Sequence, residues 1–219
     1  MSPTILSQNQ SKILRLLGNE PGIAQNFYLT GGTALAEFYL QHRLSEDLDF
    51  FSEIEFNPQD ISVILKKISK QAGIKKIDFE QSFNRNLFFL KLADEVIKTE
   101  FTYFPFQEIE KREKHGGILI DSLVDIAVNK VFTIYQKPRA RDFIDLYLII
   151  QKTGWTIGNL VKKARIKFDW HIDPVQLGAQ FMTVTEVKDY PRMLKEIDGK
   201  KWQDFFIKET KKLGKDIFE

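Results

Sequence analysis

The sequence predicts an α+β fold, in which a mixed sheet flanked by helices is followed by a helical C-terminal portion. Two observations support this class. Short runs rich in aromatic and β-branched residues alternate with helical patterns over residues 1–120, and mainly helical patterns follow over 121–219. At 219 residues and 43% hydrophobic content, the chain is long enough to bury a substantial core. We expect an α/β core at 1–120 and a helical portion at 121–219 packed on that core.

Turn residues separate the elements predicted for the first part of the chain. Gly18 ends the first helix, and Gly31-Gly32 separates a short strand from a helix that Thr33 is expected to cap. Asn57-Pro58 begins another helix, and Ala93-Asp94 joins two extended runs as a hairpin. The predicted elements are helix 5–17, strand 27–30, helix 33–41, strand 47–51, a helix ending before residue 73, and extended runs near 74–79, 86–92 and 95–104.

The remainder predicts helices near 122–136, 138–152, 157–168, 174–182 and 200–214. In the last of these, Trp202, Phe205, Phe206 and Leu213 recur at helical spacing and are expected to be core. Basic residues are frequent in these helices, but acidic residues interrupt them. This distribution favours a solvated face over an RNA-binding rim.

Composition excludes several classes of protein. The 32 basic and 30 acidic residues give a net charge of +2, which is too mild to indicate a nucleic-acid-binding protein by itself. The absence of cysteine excludes disulfides and thiol nucleophiles, and His42, His115 and His171 are too far apart for typical zinc-site spacing. Neither a signal peptide nor a membrane span is indicated, so we expect a cytoplasmic protein.

The segment GGTALAEFYLQHRLSEDLDFF, residues 31–51, carries the chemistry. On a strand, Asp47 and Asp49 project to the same side, roughly 6–7 Å apart along the backbone, while Leu48 and Phe50 face the core. Paired carboxylates suit Mg²⁺, or Mn²⁺, together with substrate phosphates. Gly31 and Gly32 before a helix would present N–H donors to a phosphate, and Thr33 would add a hydroxyl.

These residues resemble the DNA polymerase β-type nucleotidyltransferase superfamily, in which glycine and Ser or Thr, a helix and a DxD strand follow one another. The fuller string is similar to AbiEii/AbiGii-type nucleotidyltransferase toxins of toxin–antitoxin and abortive-infection systems. A second match runs from Asp125 to Lys130, DIAVNK, and from Arg139 to Leu146, RARDFIDL. The resemblance covers roughly residues 25–150.

The resemblance implies a nucleotidyltransferase-type fold and transfer of a nucleoside monophosphate from an NTP to an acceptor hydroxyl, with release of pyrophosphate. The motifs do not fix the acceptor: the resemblance implies an RNA, notably the end of a tRNA, or, as in some relatives, a protein hydroxyl. A cognate antitoxin is the implied partner. The superfamily commonly adds a third metal-binding carboxylate, for which Glu100 is the candidate and Asp78 a weaker substitute. Alternatively, Lys98 and Glu100 form a solvated surface pair.

Further roles follow from this resemblance and from residue chemistry. Lys130, in an apolar helix, would hold the triphosphate as a point charge, or else pair with a carboxylate. Asp142 and Asp145 share one helical face and could pair with Lys130, Arg139 or Arg43, with Asp142 favoured as the functional one. Arg43 could reach a phosphate, and Ser45 a phosphate or the loop backbone. His42 is expected to cap the preceding helix.

Two other functions stay open at this point. One is a small-molecule nucleotidyltransferase of the antibiotic-modifying kind, which has the same glycine turn and DxD carboxylates. The other is a non-catalytic module that binds RNA or protein on the same fold. Intact Asp47, Asp49 and Lys130 favour an enzyme.

Overall fold

The computed structural model describes residues 4–215, with side chains described through residue 213. The chain forms two compact units. The first comprises Met1–Tyr39 and Leu44–Ser122, and the second comprises Leu40–Arg43 and Leu123–Glu219. A four-residue stretch of the N-terminal half therefore belongs to the second unit.

Among the described residues, the first unit contains a mixed sheet of seven strands together with helices, which confirms the predicted fold class. The spatial order is β3-β4-β5-β2-β1-β7-β6. The central strand β2 pairs parallel with β5 and antiparallel with β1, and β1 pairs parallel with β7. The strands are β1 (Tyr28–Thr30), β2 (Leu48–Ser52), β3 (Lys76–Ser82), β4 (Arg85–Lys91), β5 (Val96–Tyr103), β6 (Glu113–His115) and β7 (Ile118–Ile120).

Helices of the first unit begin and end at residues with capping chemistry. The Ser7 hydroxyl accepts from the Gln10 N–H while the Gln10 side chain accepts from the Ser7 N–H, and the Asn57 side chain accepts from the Gln59 N–H. Gly73, at φ +82°, ends the last helix. The helices are α1 (Gln8–Gly18), α2 (Pro21–Asn26), α3 (Gly31–Ala34), which continues as a π-helical segment (Leu35–Leu40), and α4 (Pro58–Ala72).

The predicted capping role of Thr33 is wrong. Because α3 begins at Gly31, Thr30 occupies the cap position, with no side-chain hydrogen bond to the helix, and Thr33 lies within the first turn. The glycines of the turn are thus helical residues. They follow β1 without an intervening loop.

Aromatic rings fill the core of the first unit. Phe101 of β5 stacks on Phe50 of β2 at 5.0 Å between ring centroids, and it meets Phe27 and Phe88 edge-on at 5.3 and 5.9 Å. All four rings are buried. Each fully buried ring contributes roughly 1.5–3 kcal/mol through the apolar surface it removes from water. This cluster fixes β2 and β5 side by side.

The second unit is helical, as predicted. Thr156 and Asp173 accept hydrogen bonds from N–H groups in the first turns of the helices they precede. Trp202, Phe206 and Leu213 are buried, which confirms their predicted core role, and Phe205 is half-buried against Tyr147. The helices are α5 (Leu123–Gln136), α6 (Ala140–Thr153), α7 (Ile157–Phe168), α8 (Pro174–Met182) and α9 (Gly199–Lys215), with a 3₁₀ turn at Thr183–Thr185.

Among the described residues, no helix combines the length and apolar character needed to cross a membrane.

Candidate active site

The two aspartates of the DLD motif lie at the start of β2. Asp47 immediately precedes the strand, and Asp49 lies within it, while the alternate residues Leu48 and Phe50 are fully buried as predicted. Asp49 pairs in register with Thr30 on one side and with Glu100 on the other. The sheet therefore brings the predicted third carboxylate next to the second aspartate.

Cationic side chains hold two of these carboxylates. Lys98 Nζ lies 2.9 Å from Asp47 Oδ2. Arg85 forms a fork on Glu100, with Nε 2.7 Å from Oε1 and Nη2 2.6 Å from Oε2. The alternative of a surface pair between Lys98 and Glu100 is wrong, because each of these residues pairs with a different group.

Glu100 is ionised despite being buried. Burial alone would raise the pKa of its carboxyl, but hydrogen bonds from Arg85 and Thr102, the latter at 2.8 Å, outweigh burial and hold the pKa below its ordinary value. Both Glu100 oxygens thus accept hydrogen bonds from the chain itself. The alternative ligand Asp78 lies elsewhere, on β3, and its carboxylate pairs with Lys76 and Lys91.

The donor set fits a divalent cation only in part. Among the described residues, no three acidic or histidine side chains are arranged as a ready metal-ligand group. Asp47 and Asp49 supply the hard oxygens that Mg²⁺ prefers, and Mg²⁺ commonly takes only one or two carboxylates together with substrate phosphates. Glu100 would join them only after releasing Arg85.

The glycine turn lies directly against Asp49. Gly31 has φ +70°, which favours glycine, and a Cβ built on it would lie 3.0 Å from Asp49 Oδ2. Gly32 is half-buried in the same turn. The Thr33 hydroxyl is fully buried, donates to the Asp47 carbonyl oxygen and lies 2.7 Å from Ser45 Oγ. Thr33 and Ser45 therefore fix the loop that leads into the DLD motif.

A second polar cluster lies in the second unit, around Lys130 of α5. Its ammonium is 2.6 Å from Asp142 Oδ1 and 2.7 Å from Asp145 Oδ2, both on α6. Asp142 Oδ2 also accepts from Arg139 Nε at 2.8 Å. Two of the three N–H donors of Lys130 are thus directed at carboxylates, as the i, i+3 spacing of the aspartates predicted.

Asp145 is fully buried and receives the remaining partners. Its Oδ1 lies 2.7 Å from both His42 Nε2 and Arg43 Nε, and its Oδ2 accepts from Arg43 Nη2 at 2.9 Å. A carboxylate has no proton to donate, so His42 Nε2 must carry the proton. The predicted role of His42 as a helix cap is therefore wrong. Its buried side chain binds Asp145 instead.

Burial and charge oppose each other throughout this cluster. Burial alone would raise the pKa of Asp145, but Lys130, Arg43 and His42 hold it well below the ordinary value. Burial alone would lower the pKa of Lys130, but Asp145 and Asp142 raise it. For His42, burial is the dominant cause and lowers the pKa, which favours a neutral ring. With a neutral His42, the charged groups of the cluster are three cations and two anions: Lys130, Arg43, Arg139, Asp142 and Asp145.

Three residues of these clusters have partners that the sequence does not predict in full. Asp145 accepts more hydrogen bonds than Asp142, while the preference for Asp142 as the functional residue stays a prediction. Arg85 carried no signal, because its fork to Glu100 depends on the antiparallel register of β4 and β5. For Lys98, the sequence offers a surface pair with Glu100 only as an alternative and does not indicate Asp47 as its partner. Spacing within one strand or helix predicts which side chains share a face. Side-chain pairs between strands depend on the strand register, which the sequence does not reveal.

Two solved structures from Helicobacter pylori share this fold. One, a proposed nucleotidyltransferase, superimposes with a TM-score of 0.59 at 18% identity, covering 95% of this chain and 99% of that chain. The other, JHP933, also has a TM-score of 0.59 at 18% identity and covers 97% of both chains. The fold is thus that of nucleotidyltransferases.

The family profile described as "Nucleotidyl transferase AbiEii toxin, Type IV TA system" matches residues 15–213, and the chain belongs to this family. The Aquifex aeolicus (strain VF5) protein aq_aa25, which is uncharacterized, is 36% identical over 149 residues, covering 67% of this chain and 68% of its own. The protein is therefore a nucleotidyltransferase toxin. Membership implies nucleotide substrates and a cognate antitoxin.

Proposed function

We propose that the protein transfers a nucleoside monophosphate from an NTP to a hydroxyl of an RNA acceptor, a tRNA, in a reaction that requires Mg²⁺ or Mn²⁺. The observation that carries this proposal is the junction of β1, α3 and β2, where the glycine turn meets Asp49 and Asp49 pairs in register with Glu100. A phosphate-binding turn beside paired carboxylates suits nucleotidyl transfer.

Each unit has its own candidate phosphate-binding residues, and neither assignment depends on the other. In the first unit, the backbone N–H groups of Gly31 and Gly32 lie in the first turn of α3, with Thr33 and Ser45 fixing the loop. In the second unit, Lys130 keeps a third N–H donor beyond the two directed at Asp142 and Asp145, and Arg43 adds charge. The excess positive charge of this cluster favours a phosphate.

In the proposed reaction, the acceptor oxygen forms a bond to the α-phosphorus, and the bond from that phosphorus to the oxygen bridging to the β-phosphate breaks. Pyrophosphate leaves with the electron pair, and Glu100, once released from Arg85, accepts the hydroxyl proton. Asp47 and Asp49 would hold a divalent ion, whose contribution at such a site is to stabilise negative charge on the attacking and leaving oxygens.

The basic residues of the C-terminal helices as a whole predict a solvated face, but the surface of α7 taken by itself favours RNA as the acceptor over a small molecule. The helix IGNLVKKARIKF contains four basic residues and no acidic one, and only Lys167 is buried, against Asp125 at 2.6 Å. Lys162 and Lys163 flank Ile166, which is 82% exposed, and Trp170 beyond the helix is 57% exposed. Exposed basic and aromatic side chains together suit a nucleic-acid strand.

The test is labelling of total bacterial RNA with each radiolabelled NTP in the presence of Mg²⁺. We expect label on a tRNA-sized band, at least roughly hundredfold reduced in the Asp49→Asn variant because a charge that binds the metal is lost. Asp94→Asn is the matched control, since it makes the same change on an exposed turn and should label normally. Chelation by EDTA should abolish labelling.

Each alternative outcome has a distinct meaning. Label on a small hydroxylated compound with RNA unmodified would support the antibiotic-modifying kind of transferase. Binding of RNA without label, unchanged in Asp49→Asn, would support a non-catalytic module. Full labelling by Asp49→Asn would contradict the assignment of the site.

A further inference from the structure

The pairing of Arg85 with Glu100 is asymmetric in its exposure to solvent. The Arg85 side chain is 56% exposed, whereas that of Glu100 is 6% exposed. Arg85 is the first residue of β4 and follows the β3–β4 turn, at whose tip Phe83 is 96% exposed. The guanidinium can therefore move into solvent without a desolvation penalty. The Glu100 carboxylate is held in the protein interior and stays there.

Asp47 and Asp49 of the DLD motif also interact electrostatically with Arg85. Its pKa is raised, chiefly by the hydrogen bonds to Glu100, and Asp49 and Asp47 contribute further. Arg85 thus pairs directly with Glu100 and offsets part of the negative charge of Asp49 and Asp47, while Lys98 pairs with Asp47. The same carboxylates are the ones that the proposed function requires for the metal and for the proton.

The fork on Glu100 conflicts with those roles as long as it persists. Nε and Nη2 of Arg85 occupy both carboxylate oxygens, and Thr102 shares Oε1. Glu100 in this state is a poor metal ligand and a poor proton acceptor, because its lone pairs already accept charge-assisted hydrogen bonds. Release of Arg85 is needed, and an anion bound beside the exposed guanidinium would favour that release.

We propose that Arg85 binds the triphosphate of the incoming nucleotide and, by leaving Glu100, frees that carboxylate for the metal and the acceptor hydroxyl. This inference rests on the proposed function. The planar guanidinium fits phosphate oxygens with the same two-point geometry that it uses on Glu100. Buried Glu100 keeps a cationic partner only if a divalent ion replaces the guanidinium, so nucleotide and metal binding are coupled through Arg85.

The test compares wild type with Arg85→Gln in two binding measurements. Binding of Mn²⁺ alone is followed by electron paramagnetic resonance of the free ion. Binding of the four α,β-methylene NTP analogues with Mn²⁺ is followed by calorimetry. Lys76→Gln is the matched control, since it removes the same charge from an exposed ion pair with Asp78 on β3, at 2.8 Å.

Arg85→Gln should change the two affinities in opposite directions. Mn²⁺ alone should bind roughly threefold to tenfold more tightly, because a competing cation is gone. The preferred analogue should bind about tenfold more weakly, as for one lost charge-assisted hydrogen bond. Arg85→Lys should recover part of the analogue affinity, and Lys76→Gln should match wild type in both measurements.

A purely structural role for Arg85 would not produce this reversal. If Arg85→Gln left Mn²⁺ affinity unchanged or weaker, or analogue affinity unchanged, the inference would be overturned while nucleotide binding by wild type still supported the proposed function. If wild type bound no analogue, both would fail. Circular dichroism of the variants confirms that each is folded before the affinities are compared.

Discussion

Asp145 shows how much a single buried carboxylate determines in the second unit. It accepts hydrogen bonds from His42, Arg43 and Lys130 while fully excluded from solvent. Removing one partner of a buried ion pair leaves the others with an uncompensated desolvation cost. The residue is therefore expected to matter for stability as well as for placing Lys130.

We predict that Asp145→Asn lowers the free energy of unfolding by roughly 3–5 kcal/mol, because two buried cations lose their shared anion. The measurement is urea unfolding followed by tryptophan fluorescence, since all three tryptophans lie in the second unit, at positions 155, 170 and 202. Asp198→Asn, at a carboxylate 52% exposed, is the control and should change stability by less than about 0.5 kcal/mol. A loss that small for Asp145→Asn would contradict the prediction.

Acid should destabilise the protein through the same residue. The pKa of Asp145 lies well below 3.8 in the folded state, so near pH 3.8 the unfolded chain binds more protons than the folded one. The contribution of Asp145 is thus fully present above that pH and is lost as the pH falls through the folded value. Unfolding free energies measured from pH 6 down to pH 3 should fall less steeply in Asp145→Asn than in wild type.

Residue roles were predictable where they depended on spacing within one element. The i, i+3 spacing of Asp142 and Asp145 predicted a shared partner, and alternation along β2 predicted buried Leu48 and Phe50. The role of His42 was missed because its partner lies 103 residues away in the sequence, which no local pattern can reveal. Whether the predicted nucleotide and metal ligands act as such stays a prediction.

At the level of elements, the sequence predicted most helices well, because capping residues and glycines mark their ends. Asn57-Pro58 and Gly73 bracket α4 as expected. The start of α3 was misplaced by two residues, since two glycines usually indicate a turn and not a helical first turn. The π-helical segment Leu35–Leu40 was not predicted, because its apolar residues also fit α-helical spacing.

The contact between α1 and the β6–β7 turn gives an element-level prediction. A Cβ on Gly18 would lie 2.3 Å from the Gly116 carbonyl oxygen, so Gly18→Ala must displace backbone and should cost about 1–3 kcal/mol. Gly158→Ala in α7 meets nothing within 4 Å and should stabilise by roughly 0.5 kcal/mol. Thermal unfolding of the two variants checks the opposite signs, and equal shifts would contradict the close approach.

At the scale of the whole molecule, the main feature is how the chain divides between the two units. Leu40–Arg43 belongs to the second unit although its neighbours in sequence belong to the first. The sequence predicts a single boundary near residue 120 and gives no indication that Leu40–Arg43 belongs to the second unit. That residues 121–219 form a separate domain packed on the core stays a prediction.

A fragment of residues 123–219 is predicted to lose cooperative unfolding. It lacks His42 and Arg43, so Asp145 would be buried with Lys130 as its remaining close cation. Such a site costs more to desolvate than it recovers, and water should enter. Near-ultraviolet circular dichroism on heating is the measurement, and a sharp transition like that of the full chain would contradict the prediction.

The assignment of Leu40–Arg43 to the second unit also limits how toxins of this family can diversify by recombination. A genetic crossover near codon 122 would pair Asp145 with whatever residues another lineage carries at positions 42 and 43. Recombinants whose donor lacks a matching arginine and histidine would leave Asp145 with fewer partners and should be less stable. Inheritance of the two halves is thereby linked, and point substitution on exposed faces is expected to be tolerated more readily than exchange of the helical half.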